Sequence, residues 1–584
     1  MSDKSIPCRF SLLGLRPTIA PFSTDQVPPG SAVHPCRDLP LKSGVELGSF
    51  PSSAKAKFVK MRPAKSHWLK TFMKSLTLIE RVFLSIGRIL FKFERLKVSF
   101  GKSEQGGRWG SRRSRGQRFC LDFAPIEPPV LSLVFDGAVY QKSYDGRMIC
   151  WIKSLKEKPS IRLFVVLLSL FSFLNGAEPA DTNYDEREVP EYRLPKLLKS
   201  DLRGAELAKN WYEKRRPELQ ALIESHIYGK TPSRNLGPFQ TQVVDTDPQA
   251  LNGSATRKQI SIIIDDAHQL SIDLLVYLPN RADGPVPCFM GLNFYGNQTV
   301  HADPKIQINP RWMAGKSEIG IKNNRATEAT RGVYHERWQI ERLIKRGYAV
   351  ATAYCGDIDP DNYQHDFTDG IHPLFYRDDQ SKPDPGEWGT IGAWAWGLSR
   401  MLDYLIESES AINAEQVAVI GHSRLGKTAL WAGAQDQRFG LVISNNSGCG
   451  GAALYRREFG ERIHHMIKPV GYWFCRNHAD FAHREKDLPV DQHMLLALVA
   501  PRPLYVASAT QDQWADPYGE FLAALAVSPV YELFGKTGLP SPKMPAPNAP
   551  VQGTIGYHLR NGAHAVTAYD WEQYLNFANR HFKR

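Results

Sequence analysis

A serine at position 423 lies in the run 421–427 (GHSRLGK), between an apolar strand pattern and a helical pattern. A serine hydroxyl is a weak nucleophile unless a base takes its proton, and a sharp turn from strand to helix can present it to that base. Gly421 and Gly426 give the backbone the freedom that such a turn needs. The run differs from the common G-x-S-x-G pattern because Leu425 adds one residue. By itself it fits a nucleophile or a structural serine at a helix N-terminus.

Two carboxylates and a histidine follow Ser423 along the chain. This is the order of serine, acid and histidine in triads whose serine lies at a turn from a strand to a helix. Asp512 and Asp516 come just after one apolar strand pattern, and His564 comes just after the next. The carboxyl ends of parallel strands meet at one edge of a sheet. Either Asp512 or Asp516 can therefore supply the acid. We predict His564 as the general base, with His558, inside the strand, as the alternative.

Apolar strand patterns alternate with helical patterns along residues 200–584. Most of the strand patterns are short and wholly apolar, which is typical of a parallel sheet covered on both faces. We therefore predict an α/β fold, a mostly parallel sheet in a three-layer αβα sandwich, with a hairpin around 265–267. The predicted strands are 259–264, 271–278, 287–294, 348–354, 416–420, 441–444, 504–507 and 554–557, and the predicted helices are 209–229, 392–406, 427–434, 519–525 and a last one from residue 570.

Charge is unevenly distributed along the 584 residues, whose formal net charge is +13. Residues 1–162 hold 29 Lys and Arg against 12 Asp and Glu, whereas the rest of the chain holds 44 against 48. A slightly acidic body does not attract nucleic acid, so we predict no nucleic-acid partner. The hydrophobic content of 42% is that of a globular protein with a sizeable core.

Residues 148–177 have the three parts of a secretory signal peptide. Four basic residues precede an apolar run of 12 residues at 163–174, and small residues follow at 175–177. The run is too short to cross a bilayer as a helix, which takes about 20 apolar residues. The alternative is a buried core helix. We expect these residues to direct export to the periplasm or the medium, without stable insertion into a membrane.

This signal follows 147 other residues, although a signal peptide belongs at an N-terminus. We expect translation to start at Met148 and residues 1–147 to be a non-native or disordered basic extension. Stretches such as 101–119 (GKSEQGGRWGSRRSRGQRF) have no helix or strand period. The alternatives are a nucleic-acid-binding arm and a basic amphipathic helix at 67–97 on a membrane surface. The folded domain is expected at 178–584.

Cysteine usage gives no disulfide framework, because eight cysteines are few for a chain of this length. Four precede the predicted cleavage point and four remain in the exported part, where their pairing cannot be deduced. The sequence contains neither a CxxC pair nor an HExxH run, so we predict no metal and no cofactor. The cysteines of the exported part are Cys288, Cys355, Cys449 and Cys475.

Three segments resemble the bacterial branch of the glucuronoyl esterases, carbohydrate esterase family 15. They are 421–454 (GHSRLGKTALWAGAQDQRFGLVISNNSGCGGAAL), 512–514 (DQW) and 562–564 (GAH). The resemblance spans most of 200–584, and its Ser-Arg-x-Gly-Lys run is more specific than a general G-x-S-x-G. It implies an α/β-hydrolase fold without a metal. It also implies hydrolysis of esters between (4-O-methyl)glucuronic acid side chains of xylan and lignin alcohols.

The resemblance implies a role for each matching position of the triad. Ser423 would be the nucleophile and His564 the base. Arg424 would stabilise the oxyanion through its backbone N–H and its guanidinium. A fixed positive charge beside a developing oxyanion contributes roughly 3 kcal/mol in a dry site, so the chemistry of an arginine agrees with this role.

Three further positions would contact the sugar, according to the same resemblance. Lys427 and Glu461, the latter in the run 459–461 (FGE), would each contact a hydroxyl group. Trp514 would line the pocket, with its indole N–H hydrogen-bonded and its ring packed. The alternatives are a solvated helix residue for Lys427 and a surface charge for Glu461.

One position departs from the family's pattern. Many members carry the acid as a glutamate after the strand that follows the elbow helix, in the context Glu-Ser-Gly, whereas residues 446–448 read Asn-Ser-Gly here. The amide of Asn446 cannot stabilise an imidazolium by charge. We therefore expect the acid at the later position, Asp512, with Asp516 as the second candidate.

These features predict a serine carboxylic-ester hydrolase that acts through an acyl-enzyme. We expect an exported monomer whose substrate is glucuronoxylan or a lignin–carbohydrate ester. Two other functions are open. An acetyl-xylan esterase or general carboxyl esterase uses the same triad, and an inactive carbohydrate-binding relative would have lost its acid.

Overall fold

A computed structural model describes residues 179, 181–199, 201–233, 239–362, 364 and 367–582, and the backbone of three short strands before them. Those strands are β1 Ser132–Phe135, β2 Ala138–Lys142 and β3 Met148–Cys150. Apart from β3, the predicted signal peptide at 148–177 lies outside the described residues.

Ten further strands form one sheet. They are β4 Gln240–Gln249, β5 Ala255–Asp265, β6 Leu270–Pro279, β7 Val286–Asn293, β8 Ala349–Tyr354, β9 Ile412–His422, β10 Leu441–Asn445, β11 Leu504–Ala509, β12 Val551–Gln552 and β13 Ile555–Arg560. Their order across the sheet is β12-β13-β11-β10-β9-β7-β8-β6-β5-β4. All pairs from β13 to β8 are parallel, and the pairs towards both edges are antiparallel.

The predicted hairpin is confirmed in β5 and β6, which pair in antiparallel fashion from Ala255 opposite Pro279 onwards. Its turn requires a left-handed backbone, which Gln269 adopts with a φ of 53°. Strand β4, at the edge of the sheet, was not predicted, since its ten residues are mostly exposed and polar. A strand without a buried face shows no apolar period in the sequence.

Twelve α-helices accompany the sheet within the described residues. They are α1 Gly204–Asn210, α2 Arg216–Ile223, α3 Ala250–Gly253, α4 His335–Trp338, α5 Ile340–Lys345, α6 Thr390–Ser408, α7 Arg424–Gln435, α8 Ile463–Val470, α9 Gln492–Ala497, α10 Pro517–Ala526, α11 Ser528–Glu532 and α12 Ala568–His581. Single π-helical turns follow α1 and α2, so the predicted helix 209–229 is confirmed as part of a longer helical run. None of the helices in the described part of the chain has the length and apolarity to cross a bilayer.

Two apolar cores cover the two faces of the sheet. Successive residues of β9 belong to opposite cores, because strand side chains alternate between faces. Val417 and Val419 lie in the core formed with α6, α7, α9 and α10. Ala418 and Ile420 lie in the core formed with α5 and α12. The three-layer αβα sandwich is therefore confirmed.

The parallel register brings four strand ends to one edge of the sheet. In the order of the sheet, the neighbouring strands β9, β10, β11 and β13 end at His422, Asn445, Ala509 and Arg560. The segments that follow these strands therefore lie side by side. They carry Ser423, Asp512, Asp516 and His564, whereas the alternative base His558 lies inside β13.

Candidate active site

Ser423 forms the turn between β9 and α7, with a φ of 58° and a ψ of −131°. A positive φ at a residue other than glycine is strained and is concentrated at active sites. The Ser423 N–H donates to the carbonyl of Asn445 at 2.9 Å, and the Ser423 carbonyl accepts the N–H of Gly426 at 2.8 Å. Among the described residues, its side chain makes no capping hydrogen bond to α7. The serine therefore has the geometry of a nucleophile elbow rather than that of a helix cap.

The glycines of the run are required because the elbow folds tightly on itself. A Cβ on Gly421 would lie 1.8 Å from the carbonyl oxygen of Leu425. A Cβ on Gly426 would lie 3.1 Å from the Cβ of Ser447. The carbonyl oxygen of Leu425, the additional residue of the run, thus lies where a side chain at position 421 would be. This is how the longer spacing still yields an elbow.

His564 and Asp512 lie together at the ends of β13 and β11. The Nδ1 of His564 is 2.6 Å from the Oδ2 of Asp512. The carboxylate is buried, whereas the imidazole side chain is 43% exposed. The rings of His564 and of His422, the neighbour of Ser423, have centroids 4.4 Å apart. The structure thus brings Asp512 and His564 together, beside the residue that precedes Ser423 in the chain.

The two alternative residues make other contacts. Asp516 accepts the N–H of Gly519 at 2.9 Å as the cap of α10, and its Oδ2 lies 2.9 Å from the Nε of Arg457. His558 is buried, and its Nε2 lies 2.9 Å from the Oδ1 of Asp570. The geometry therefore favours Asp512 as the acid and His564 as the base.

Asn446 lies directly against the predicted acid. Its Nδ2 donates to the Oδ2 of Asp512 at 2.6 Å. Its backbone is left-handed, with a φ of 47°, and its N–H donates to the carbonyl of Ala507 at 2.7 Å. The residue that stands where many family members have a glutamate is therefore a hydrogen-bond donor to a carboxylate from the next strand.

A second buried carboxylate, Glu520, supports the loop after β10. Its Oε1 accepts the N–H groups of Ser447 at 2.8 Å and Gly448 at 3.0 Å, and its Oε2 accepts the hydroxyl of Ser508 at 2.6 Å. Burial raises the pKa of Glu520 to about 7, although these hydrogen bonds act in the opposite direction. Sequence reasoning missed this residue, whose one signal is a glutamate within the apolar segment 519–525.

The guanidinium of Arg424 is fixed beside the elbow. Its Nε lies 2.7 Å from the Oδ2 of Asp361, and its Cζ is 4.5 Å from the ring centroid of Phe294. Burial opposes the charge, but the negative charge of Asp361 raises the pKa of Arg424 above its usual range. The ring centroid of Trp473 lies 5.6 Å from the Cζ of Arg424, and the Nε1 of Trp473 donates to Asp361 at 2.8 Å. The sequence analysis did not identify these three partners.

The predicted sugar contacts lie in one cluster behind the elbow. The Nζ of Lys427 donates to the carbonyl of Ser447 at 2.6 Å and lies 3.6 Å from the Oε2 of Glu461. The Glu461 N–H donates to the carbonyl of Trp514 at 2.8 Å. Lys427 is 4% exposed, and the side chain of Glu461 is 15% exposed. Neither residue is therefore a solvated surface charge.

Asp181, His464 and His465 form a group of potential metal ligands. The Nε2 atoms of His464 and His465 lie 2.8 and 3.2 Å from the two oxygens of Asp181. However, the Nδ1 of His465 accepts the N–H of Arg462 at 3.0 Å, which places the imidazole proton on Nε2. A protonated Nε2 donates a hydrogen bond to Asp181 and cannot bind a metal. The group is therefore accounted for by hydrogen bonds.

A strained serine elbow, a histidine and a buried carboxylate at the carboxyl edge of a parallel sheet define a serine hydrolase of the α/β-hydrolase type. A family model described as "Glucuronyl esterase, fungi" matches residues 339–535. The chain is 49% identical over 411 residues to "Carbohydrate esterase MZ0003" from an unknown prokaryotic organism, a match that covers 69% of this chain and 93% of that protein.

Two solved structures give the same result. A promiscuous esterase of carbohydrate esterase family 15 from a marine bacterial metagenome is 49% identical with a TM-score of 0.63, covering 69% of this chain and all of that one (100%). A glucuronoyl esterase from Solibacter usitatus is 45% identical with a TM-score of 0.63, covering 68% and 100%. This chain belongs to carbohydrate esterase family 15, the glucuronoyl esterases.

The raised pKa of Glu520 gives a testable dependence of stability on pH. The pKa of about 7 in the folded state exceeds the ordinary value of 4.5, so the unfolded chain loses this proton first as pH rises. The group therefore lowers the free energy of unfolding between these two values, by up to about 3 kcal/mol. Glu520→Gln cannot ionise at this position. As pH rises from 4.5 to 7.5, we therefore expect its free energy of unfolding to increase relative to that of the wild type by that amount. Denaturant unfolding of both proteins over this range measures the difference, and a constant difference contradicts the prediction.

Proposed function

We propose that this chain hydrolyses the esters that join (4-O-methyl)glucuronic acid side chains of xylan to lignin alcohols. The observation that carries the proposal is the pair of Lys427, in the first turn of the helix after Ser423, and Glu461, whose backbone N–H bonds to the carbonyl of Trp514. An ammonium, a carboxylate and an indole suit the hydroxyl groups and the apolar face of a sugar. The glucuronoyl esterase from Solibacter usitatus, at 45% identity, supports the same substrate class.

The proposed reaction is an acyl transfer. His564 takes the proton of the Ser423 hydroxyl as the serine oxygen attacks the uronoyl carbonyl carbon. Asp512, 2.6 Å from Nδ1, stabilises the imidazolium that forms. The tetrahedral intermediate collapses, and the alcohol leaves with the proton from His564. Water then attacks the carbonyl carbon of the glucuronoyl-enzyme, and the same imidazole takes its proton. The bond from the acyl group to Ser423 breaks, the imidazolium returns the proton to the serine oxygen, and the free uronic acid departs.

Arg424 is proposed to stabilise the oxyanion of both tetrahedral intermediates. It is the first residue of α7, so its backbone N–H is one of the unpaired donors at a helix N-terminus. Its guanidinium is held by Asp361 at 2.7 Å before any substrate arrives. A positive charge fixed in advance needs no rearrangement when the negative charge develops, which is the main source of such stabilisation.

A general carboxyl esterase or acetyl-xylan esterase is the second candidate, because it needs the same three catalytic groups. The specific observation in its favour is that the relative at 49% identity is described as a promiscuous esterase. An inactive carbohydrate-binding relative is disfavoured by the short contact between His564 and Asp512. Such a protein has no need for a carboxylate behind its histidine.

Hydrolysis of two esters distinguishes these functions. We expect wild-type enzyme to cleave benzyl glucuronate with a higher kcat/KM than p-nitrophenyl acetate, and Ser423→Ala to lose both activities by about 10⁴-fold or more. Lys427→Met serves as the matched control outside the triad, and we expect it to reduce only the cleavage of the glucuronate. A preference of the wild type for the acetate supports the second candidate. Equal rates for wild type and Ser423→Ala support the inactive relative.

We also propose that residues 148–177 direct export and that the mature enzyme is a monomer. The support is the basic start, the apolar run at 163–174 and the small residues at 175–177. We expect the intact mass of the protein secreted by its native host to correspond to a chain that begins at residue 178. A secreted product that retains residues 1–147 contradicts both the signal and the predicted start at Met148.

A further inference from the structure

The loop between β13 and α12 carries His564, and the guanidinium of Arg560 holds this loop from inside. The Nη2 of Arg560 donates to the carbonyl oxygens of Ala563 at 2.6 Å and of Ala565 at 3.0 Å. These two alanines are the neighbours of His564 in the chain. Arg560 is itself buried, at 6% exposure. One buried side chain therefore fixes the backbone on both sides of the histidine.

Asp570, in the first turn of α12, holds the guanidinium in place. Its Oδ2 lies 2.9 Å from the Nε of Arg560, and it accepts the N–H and the hydroxyl of Thr567 at 2.7 Å each. His558 adds a contact of 2.9 Å from its Nε2. Burial opposes its charge, but these hydrogen bonds and the charge of Arg560 keep the pKa of Asp570 below its usual range. A buried, ionised and fully bonded carboxylate is a fixed anchor.

The same helix also contacts the residue that holds the elbow. The Nδ2 of Asn445 donates to the hydroxyl of Tyr574, in α12, at 2.8 Å and lies 3.5 Å from the Oδ1 of Asp570. The carbonyl of Asn445 accepts the N–H of Ser423 at 2.9 Å. The position of the serine and the position of the histidine loop are therefore both set relative to α12.

We propose that Arg560 is a positioning residue, which sets the distance and orientation of His564 relative to Ser423 through the carbonyls of the loop. The inference rests on the proposed role of His564 as the base. The imidazole side chain is 43% exposed, so packing of the ring alone does not fix it. A displacement of about 1 Å at a reacting group can lower a rate by about 100-fold. Arginine suits this task, because its planar fork reaches several acceptors at fixed angles and the ammonium of a lysine does not.

Arg560→Lys tests the proposal. It retains the positive charge opposite Asp570 and removes the planar guanidinium that donates to both carbonyls. Arg502→Lys is the matched control. Arg502 also donates to backbone carbonyls, those of Gly433 at 2.5 Å, Asp436 at 3.1 Å and Phe439 at 3.0 Å, but these lie in the last turn of the elbow helix or follow it, at the end away from Ser423. Two rates are measured for each variant, together with its thermal unfolding. One is the hydrolysis of benzyl glucuronate, and the other is the phosphonylation of Ser423 by a fluorophosphonate probe, which needs the base but no sugar pocket.

We expect Arg560→Lys to lower kcat by about 10- to 100-fold with KM changed less than 2-fold, and to slow phosphonylation by a similar factor. We expect Arg502→Lys to keep both rates within 2-fold of the wild type, at a comparable loss of thermal stability. Wild-type rates in Arg560→Lys, or equal rate losses in the two variants, overturn the proposal.

If Arg560→Lys does not fold, Asp570→Asn provides the test. We expect the same lowering of kcat with little change of KM, and wild-type rates would again overturn the proposal. If the wild type leaves benzyl glucuronate intact, the substrate assignment fails, and the phosphonylation rates still decide the role of Arg560.

Discussion

The contact of 2.6 Å between His564 and Asp512 depends on the order and direction of two strands. Strands β11 and β13 pair in parallel, and the last residues of the ladder are Ala509 opposite Arg560. The loops that follow them therefore leave the sheet side by side. One loop provides a buried carboxylate and the other an imidazole open to substrate. The Ser423 elbow lies at the same edge, because β9 ends there, two strands from β11 and three from β13.

The position of the acid shows how one carboxylate can be exchanged for another in this fold. Asn446 follows β10 and Asp512 follows β11, and the two side chains meet at 2.6 Å. A carboxylate at either position is thus close to the same imidazole. Where the earlier position holds an amide, the amide donates a hydrogen bond to the later acid. Glu520 holds the loop after β10, which contains Asn446, by accepting the N–H groups of Ser447 and Gly448. Because it does so as a deeply buried group, its own pKa is raised.

Much of the fold could be predicted because apolar strands and amphipathic helices follow local periods. The hairpin of β5 and β6, the parallel core and the helix after Ser423 all follow from such patterns. Strand β4 could not be predicted, because its residues are mostly polar and exposed and therefore show no apolar period.

Asp512 and His564 could be predicted from the sequence because each follows the end of an apolar strand pattern. The partners of Arg424 could not, because Phe294, Asp361 and Trp473 are distant in sequence and meet only in the folded chain. The hydrogen bonds from Arg560 to the loop of His564 could not be predicted either. Their acceptors are backbone carbonyls, which have no sequence signature.

The central claim is that the charge of Asp512 completes the triad. The most direct measurement is the kcat of Asp512→Asn on benzyl glucuronate. Asp516→Asn is the control, because Asp516 is a nearby buried carboxylate that caps a helix and pairs with an arginine. Asp512→Asn keeps the shape of the side chain and removes the charge that stabilises the imidazolium. The account predicts a loss of about three to four orders of magnitude in kcat for Asp512→Asn, as for other triad acids. For Asp516→Asn it predicts a kcat within a few-fold of the wild type. A near-normal rate in Asp512→Asn, or the large loss in Asp516→Asn instead, contradicts it.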